Sequence, residues 1–170
     1  MEQQENLQWV NADPYHIGEL TFKYTMQSYD RVNILHDYGT GENFTMVEVH
    51  TVTVIEENPG ITVTELAKAT NRTKSAVSQV VSRLEKRGMV QKTRPRDNGK
   101  KALLFVTPKG RELSIAHRAY DVKNVLCWHN KLKETFTDEE LDVFYRVMAA
   151  RLALSPIQDE DDADSEDFEE

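Results

Sequence analysis

The stretch "NRTKSAVSQVVSRLEKRG", Asn71 to Gly88, decides how the chain is read. It holds five Lys or Arg residues and one acid, inside a chain of formal net charge -8. Val77, Val80, Val81 and Leu84 recur at helical spacing and predict a stripe turned to a core. Thr73 is placed to cap this helix and Gly88 to end it in a left-handed conformation. Ser75, Ser78, Gln79, Ser82 and Arg83 repeat the same spacing on another side. Short Ser side chains allow close approach to a groove, and Gln and Arg carry donors that reach base edges. An ordinary solvated helix could carry the same face, so the neighbouring segments must decide.

Upstream, "ITVTELAKAT" predicts a short helix capped either by Thr62, through a box with Glu65, or by Thr64, with Leu66 and Ala67 facing the core. Two helices joined by a tight turn form a helix-turn-helix candidate. Downstream, "MVQKTR" and "KALLFVT" are strand-like runs around "PRDNGK", where Asn98-Gly99 signals a hairpin. Arg94, Arg96, Lys100 and Lys101 crowd its tip. Long cations at a loop tip suit phosphate and minor-groove contact, which needs no base-specific geometry. A basic hairpin after a helix-turn-helix reads as a wing, and the pair turns the reading towards DNA.

The flanks are helical. Asp13-Pro14 opens a helix expected to run from about 14 to 38. "FTMVEVHTVTVIEENPG" has strand-like alternation at Val47, Val49, Thr51 and Thr53, but a capping box of Thr45 with Glu48 and a stop at Asn58-Pro59-Gly60 favour helix. Thr107-Pro108 starts another helix reaching about Lys133. Thr137 with Glu140 caps a last one carrying Leu141, Phe144, Tyr145, Met148 and Leu152. These outer stripes exceed what a small winged unit needs to cover itself, so burial against a second subunit is expected, with intramolecular packing as the alternative.

Cutting the chain into blocks locates its charge. Residues 1–59 hold 2 basic and 10 acidic residues, 60–111 hold 13 and 3, 112–157 hold 6 and 7, and 158–170 hold 0 and 9. The middle block is a cationic island of the kind a polyanion meets first. The acidic end, "IQDEDDADSEDFEE", is too polar to offset its ordering entropy and is expected to be disordered, serving solubility rather than competing with DNA.

Other classes find little support. No window is apolar enough to span a bilayer, the first residues lack a signal-peptide pattern, and a lone Cys127 suits a reducing compartment, so a cytoplasmic protein without membrane contact is expected. No phosphate loop, zinc-protease motif or nucleophile elbow anchors catalysis, so the chain is not read as an enzyme. His16, His36, His50, His117 and His129 contain no i, i+4 pair and Cys127 is two residues from His129, so no metal site and no cofactor are expected. A winged-helix protein-interaction module would want an apolar face where Ser75, Ser78 and Gln79 stand.

In this order, "NPGITVTELAKATNRTKSAVSQVVSRLEKRGMVQKTRPRD" and "KKALLFVTPKGREL" resemble the MarR family of bacterial winged-helix transcriptional regulators, over about Pro14 to Leu154. The fold class implied is mainly α, an α+β winged helix-turn-helix with a two-stranded wing between long N- and C-terminal dimerisation helices. The corresponding divisions are 1–44, an N-terminal segment and dimerisation helix; 45–109, the DNA-binding region; 110–156, the C-terminal dimerisation helices; and 157–170, the acidic tail. The resemblance implies a homodimer on a palindromic double-stranded DNA operator, read as a repressor, and a short strand at "ITV" beside the wing. It implies recognition-helix contacts from Thr73, Lys74, Ser75, Ser78, Gln79 and Arg83, and wing contacts from Arg94, Arg96, Lys100 and Lys101. Where the family commonly has an Asp followed by two Arg, this chain has Gly99-Lys100-Lys101, so positive charge is kept without the planar fork, and Asp97 is the nearest carboxylate. Family members often answer to small amphipathic effectors, and some to metal or oxidants, which keeps a metal- or redox-responsive regulator as the alternative.

Overall fold

The computed structural model describes residues 13–94 and 102–154. The first helix, α1, spans Pro14–Val32, with Asp13 accepting from the Tyr15 N–H as its cap. It stops short of the expected 38. His36–Asp37 (β1) instead pairs with Asn43–Phe44 (β2), and Asp37 Oδ1 accepts from the backbone N–H groups of Gly39, Thr40 and Gly41 at 2.8, 3.0 and 3.1 Å. One carboxylate thereby organises the turn. Ile34 and Leu35 continue the apolar spacing in sequence but sit exposed in the link.

The ambiguous segment is helical. In α2, Met46–Glu57, the Thr45 hydroxyl accepts from the Glu48 N–H while the Glu48 carboxylate accepts from the Thr45 N–H at 2.9 Å. Val49, Val52 and Ile55 are fully buried at helical spacing, whereas Thr51 and Thr53 donate their hydroxyls back to the carbonyls of Val47 and Val49. The Thr residues that suggested a strand are accommodated within the helix.

Ile61–Thr62 (β3) leads into α3, Val63–Ala69, and Thr62 rather than Thr64 supplies the cap, in a reciprocal box with Glu65. The next helix, α4, runs Lys74–Lys86 from a Thr73 cap, and Gly88 at φ +74° turns the chain out of it. Val90–Thr93 (β4) and Leu103–Val106 (β5) form the antiparallel wing, with β3 on the other side of β5 as the resemblance implied. Two long helices follow, α5 over Pro108–Leu132 and α6 over Asp138–Ala153.

The core lies where α2, α3, α4, β5 and the start of α5 meet. Val52, Ile55, Leu66, Val81, Leu84, Leu104 and Leu113 are all buried there. The chain end of α4 is joined to α5 by backbone contact. Thr107 donates its hydroxyl to the Gly88 carbonyl at 2.6 Å and its N–H to the Met89 carbonyl at 3.0 Å. Gly110 passes so close that an added Cβ would stand 2.1 Å from the Met89 oxygen. Away from this core, α1 buries no residue and α6 only Leu141, leaving Leu20, Phe22, Tyr24, Phe144, Val147 and Leu152 exposed. Among the described residues, no helix is long and apolar enough to cross a membrane.

Gly110→Ala is expected to force α5 off Met89 and lower stability by about 1–3 kcal/mol, the usual cost of overpacking. Urea unfolding of the variant against the parent chain measures it.

Candidate nucleic-acid interface

The orientation of α4 follows from its sequence. With Val77, Val80, Val81 and Leu84 buried, the opposite side must face outward. Ser75, Ser78, Gln79, Ser82, Arg83 and Lys86 line one continuous shallow depression on that side. Five of these six were picked out by spacing alone, and Lys86 extends the set by a further turn. Thr73 has its hydroxyl occupied by capping, since it accepts from the Ala76 N–H at 3.3 Å and stands 3.3 Å from the Ser75 hydroxyl. Lys74 is exposed at the helix start, where the free N–H groups of the first turn favour an anion.

Arg83 does not project freely. Its Nε lies 3.6 Å from Oε1 of Glu48, a side chain only 7% exposed, while the Arg83 side chain is 55% exposed. Arg87 is the deeper neighbour. It donates to the Asn43 carbonyl at 2.8 Å and to Glu42 at 3.2 Å, stands 3.7 Å from Glu48, and stacks 3.5 Å over the Phe44 ring. The planar guanidinium satisfies several acceptors and an aromatic face together, which an ammonium could not do. Lys109 closes the group at 2.5 Å from Glu42, and these hydrogen bonds, first from Lys109 and then from Arg87, hold the Glu42 carboxyl below its ordinary range. The sequence reading did not find this network. The Glu48 capping box was its visible signal, because a carboxylate fixed at a helix start and buried needs cationic company.

In the wing, Gln91, Lys92, Thr93 and Arg94 are exposed, and Lys92 is paired with Glu85 of α4 at 2.7 Å. Arg94 stands at the end of β4, on the approach to the tip. Arg96, Lys100 and Lys101, with Asp97 and the turn expected at Asn98-Gly99, lie outside the described residues, as does the acidic stretch beyond Leu154.

A second polar cluster lies between α2 and α5. His50 from α2 meets His117 and Asp121 from α5, and one ligand-type atom of each lies within 4.8 Å of the others. Searching histidine against histidine missed this group, because its sequence-local pair is His117 with Asp121, four residues apart. His117 is buried, which pushes its imidazole below the ordinary range; Asp121 opposes the shift, while His50 and Arg118 add to it. Tyr38 packs edge-on against His117 and Tyr120, with ring centroids 5.6 and 5.0 Å apart. Burial, followed by the charges of Tyr120 and Asp121, pushes the Tyr38 phenol up to about 12. Cys127 is exposed on α5.

The family model that matches the chain is described as MarR family and covers residues 44–102, from Phe44 through the helix-turn-helix into the wing. A curated relative, the uncharacterized HTH-type transcriptional regulator YhjH of Bacillus subtilis (strain 168), is 32% identical over 87 residues, which is 51% of this chain and 50% of that protein. The matched stretch thus spans half the length of that relative. FabT of Streptococcus pneumoniae, solved in complex with DNA, has a TM-score of 0.63 at 21% identity, covering 84% of this chain and 96% of its own. PcaV of Streptomyces coelicolor, a transcriptional regulator solved with its natural ligand, has a TM-score of 0.63 at 17% identity, covering 85% and 94%. At these identities the two structures establish a shared fold.

Two outcomes are expected here. Glu48→Gln keeps an acceptor for the Thr45 N–H but leaves Arg83 and Arg87 without their buried counter-charge, so urea unfolding should show a loss of about 1–3 kcal/mol. The raised Tyr38 value means the folded state holds a proton that the unfolded chain releases. Its contribution is complete below pH 10 and is lost as pH rises through about 12. Ultraviolet titration should show a late phenolate step that Tyr38→Phe removes.

Proposed function

We propose that the chain is a DNA-binding transcriptional regulator of the MarR family, whose model matches residues 44–102, and that it is a repressor that occupies a palindromic operator as a homodimer and leaves it when a small-molecule effector binds. The observation that carries this reading is α4 itself. Its apolar stripe is buried, its polar side of Ser, Gln, Arg and Lys lines one open depression, and it follows a short helix and tight turn.

The proposed division of labour follows from side-chain chemistry. Gln79 and Arg83 are base readers, since both present paired donors or a donor and acceptor to a base edge. Thr73, Lys74, Ser75 and Ser78 sit nearer the helix start and anchor phosphate and the groove wall. Arg94, Arg96, Lys100 and Lys101 supply the wing's contact with the backbone or minor groove. Glu48 holds Arg83 in place before DNA arrives, which limits the rotamer entropy lost on binding.

Dimerisation is supported by the exposed apolar residues of α1, α5 and α6, which lie outside the core and in the two ends of the chain. A two-fold axis through these helices would present two copies of α4 about one turn of DNA apart. The fold shared with FabT, whose solved form contains DNA, and with PcaV, whose solved form contains a ligand, is consistent with both halves of the proposal. A protein-docking role for the same helix is disfavoured by the polarity of its open face.

Sedimentation of the purified chain is expected to give twice the chain mass. Gln79→Ala and Arg83→Ala should each relax operator preference by about 1–3 kcal/mol, measured as the ratio of operator to random-sequence affinity. Lys100→Ala should weaken both DNAs alike and reduce the slope of log affinity against log salt by about one. Equal behaviour of the two classes would overturn the assignment of readers and anchors.

A further inference from the structure

We propose that His50, His117 and Asp121 form a binding site for one divalent transition-metal ion of the zinc class, between α2 and α5 and distinct from the polar face of α4. The reading does not rest on DNA binding. It rests on where three side chains converge and on an atom within them that has no other partner.

The geometry suits a single ion. His117 and Asp121 share one face of α5 through their i, i+4 spacing, and His50 arrives from α2. Asp121 Oδ2 stands 2.9 Å from His117 Nε2 and 3.9 Å from His50 Nε2. Zinc holds imidazole nitrogen and carboxylate oxygen at about 2.0–2.2 Å, so two donors on one ion lie at most about 4.4 Å apart. Both separations already fit, and the whole set, within 4.8 Å, closes by a small rotation of the half-exposed His50 ring. Two imidazoles with one carboxylate select a zinc-like ion over calcium or magnesium, which take oxygen ligands. The partial exposure of Asp121 and His50 leaves an entry path and room for a water as fourth ligand.

Proton accounting points the same way. The Thr53 hydroxyl has one hydrogen, which it donates to the Val49 carbonyl at 3.1 Å, and it accepts from the Ser114 hydroxyl at 3.1 Å. His117 Nδ1, 3.2 Å from the same oxygen, is therefore the donor in that contact. This tautomer leaves Nε2 with a lone pair, and Nε2 is a buried atom with no hydrogen-bond partner among the described residues, although a carboxylate oxygen lies 2.9 Å away. A lone pair turned towards a carboxylate is stabilised by a cation between them. The ring is also braced as a metal ligand should be, since Arg118 donates to Ser114 and pairs with Glu56, fixing the chain of hydroxyls behind His117.

The test uses the full-length, tag-free chain, stripped with a chelator and titrated with Zn(II) alone against a chromophoric competitor. One ion per chain is expected, and zinc should raise the thermal midpoint. His50→Ala, at an exposed position, and the near-isosteric Asp121→Asn should each weaken zinc affinity by roughly 100-fold or more, above the range that loss of a ligand's hydrogen-bond partner costs. Both should keep the parent circular dichroism spectrum and lose the zinc-dependent rise in midpoint. Absence of stoichiometric binding at micromolar zinc, or binding that both variants leave unchanged, would overturn the site; the latter would place the ion on other residues of this acidic chain.

Discussion

The rotation of α4 about its own axis is the constraint from which the rest follows. Four aliphatic side chains, Val77, Val80, Val81 and Leu84, are removed from water together, and turning the helix by one residue would expose them and bury Ser78 and Arg83 instead. At about 25 cal/mol per Å² of apolar surface, that exchange would cost several kcal/mol before any unpaired polar group is counted. The polar side is thus presented outward by the packing of the opposite side. The Thr73 cap and the left-handed Gly88 fix where the helix begins and ends, so the position of each outward residue along its axis is set as well.

Electrostatics refine this picture. The cationic middle of the sequence is selectively neutralised in three dimensions, because the acidic N-terminal block folds back on part of it. Glu42 and Glu48 engage Arg83, Arg87 and Lys109, and Glu56 engages Arg111 and Arg118. Among the described residues, no ion pair holds Lys74, Lys86 or Arg94. Lys74 and Lys86 lie on α4, and Arg94 lies at the root of the wing. That separation of structural from available charge is invisible in a count of residues.

Much of the architecture was legible because its boundaries are written in local chemistry. Thr45 with Glu48, Thr62 with Glu65 and Thr137 with Glu140 are reciprocal caps, and Thr73 and Thr107 cap as spacing suggested. The open side of α4 was legible for the same reason, since one helical period generates both its faces. Where sequence reading faltered, long-range contact had taken over. The alternation in α2 imitates a strand because several of its faces are covered, which erases the amphipathic signal. Ile34 and Leu35 prolong the α1 pattern, yet the pairing of His36–Asp37 with Asn43–Phe44 claims the backbone there. His50 and the His117–Asp121 pair come from different helices, and no local spacing rule connects them.

The single helix α5 runs 25 residues without interruption, from the wing's exit at Thr107 to the cap of its far end at Lys133. At 1.5 Å per residue it is a rod of about 37 Å, and a tilt of roughly five degrees at one end sweeps the other by about 3 Å. One end is locked to the α4–β4 corner by the glycine contact at Met89, while the other carries Val122, Val125 and Leu126 out of the core. Whatever settles against the outer half of α5 therefore acts at the end of a long arm whose fixed end is the corner from which α4 departs.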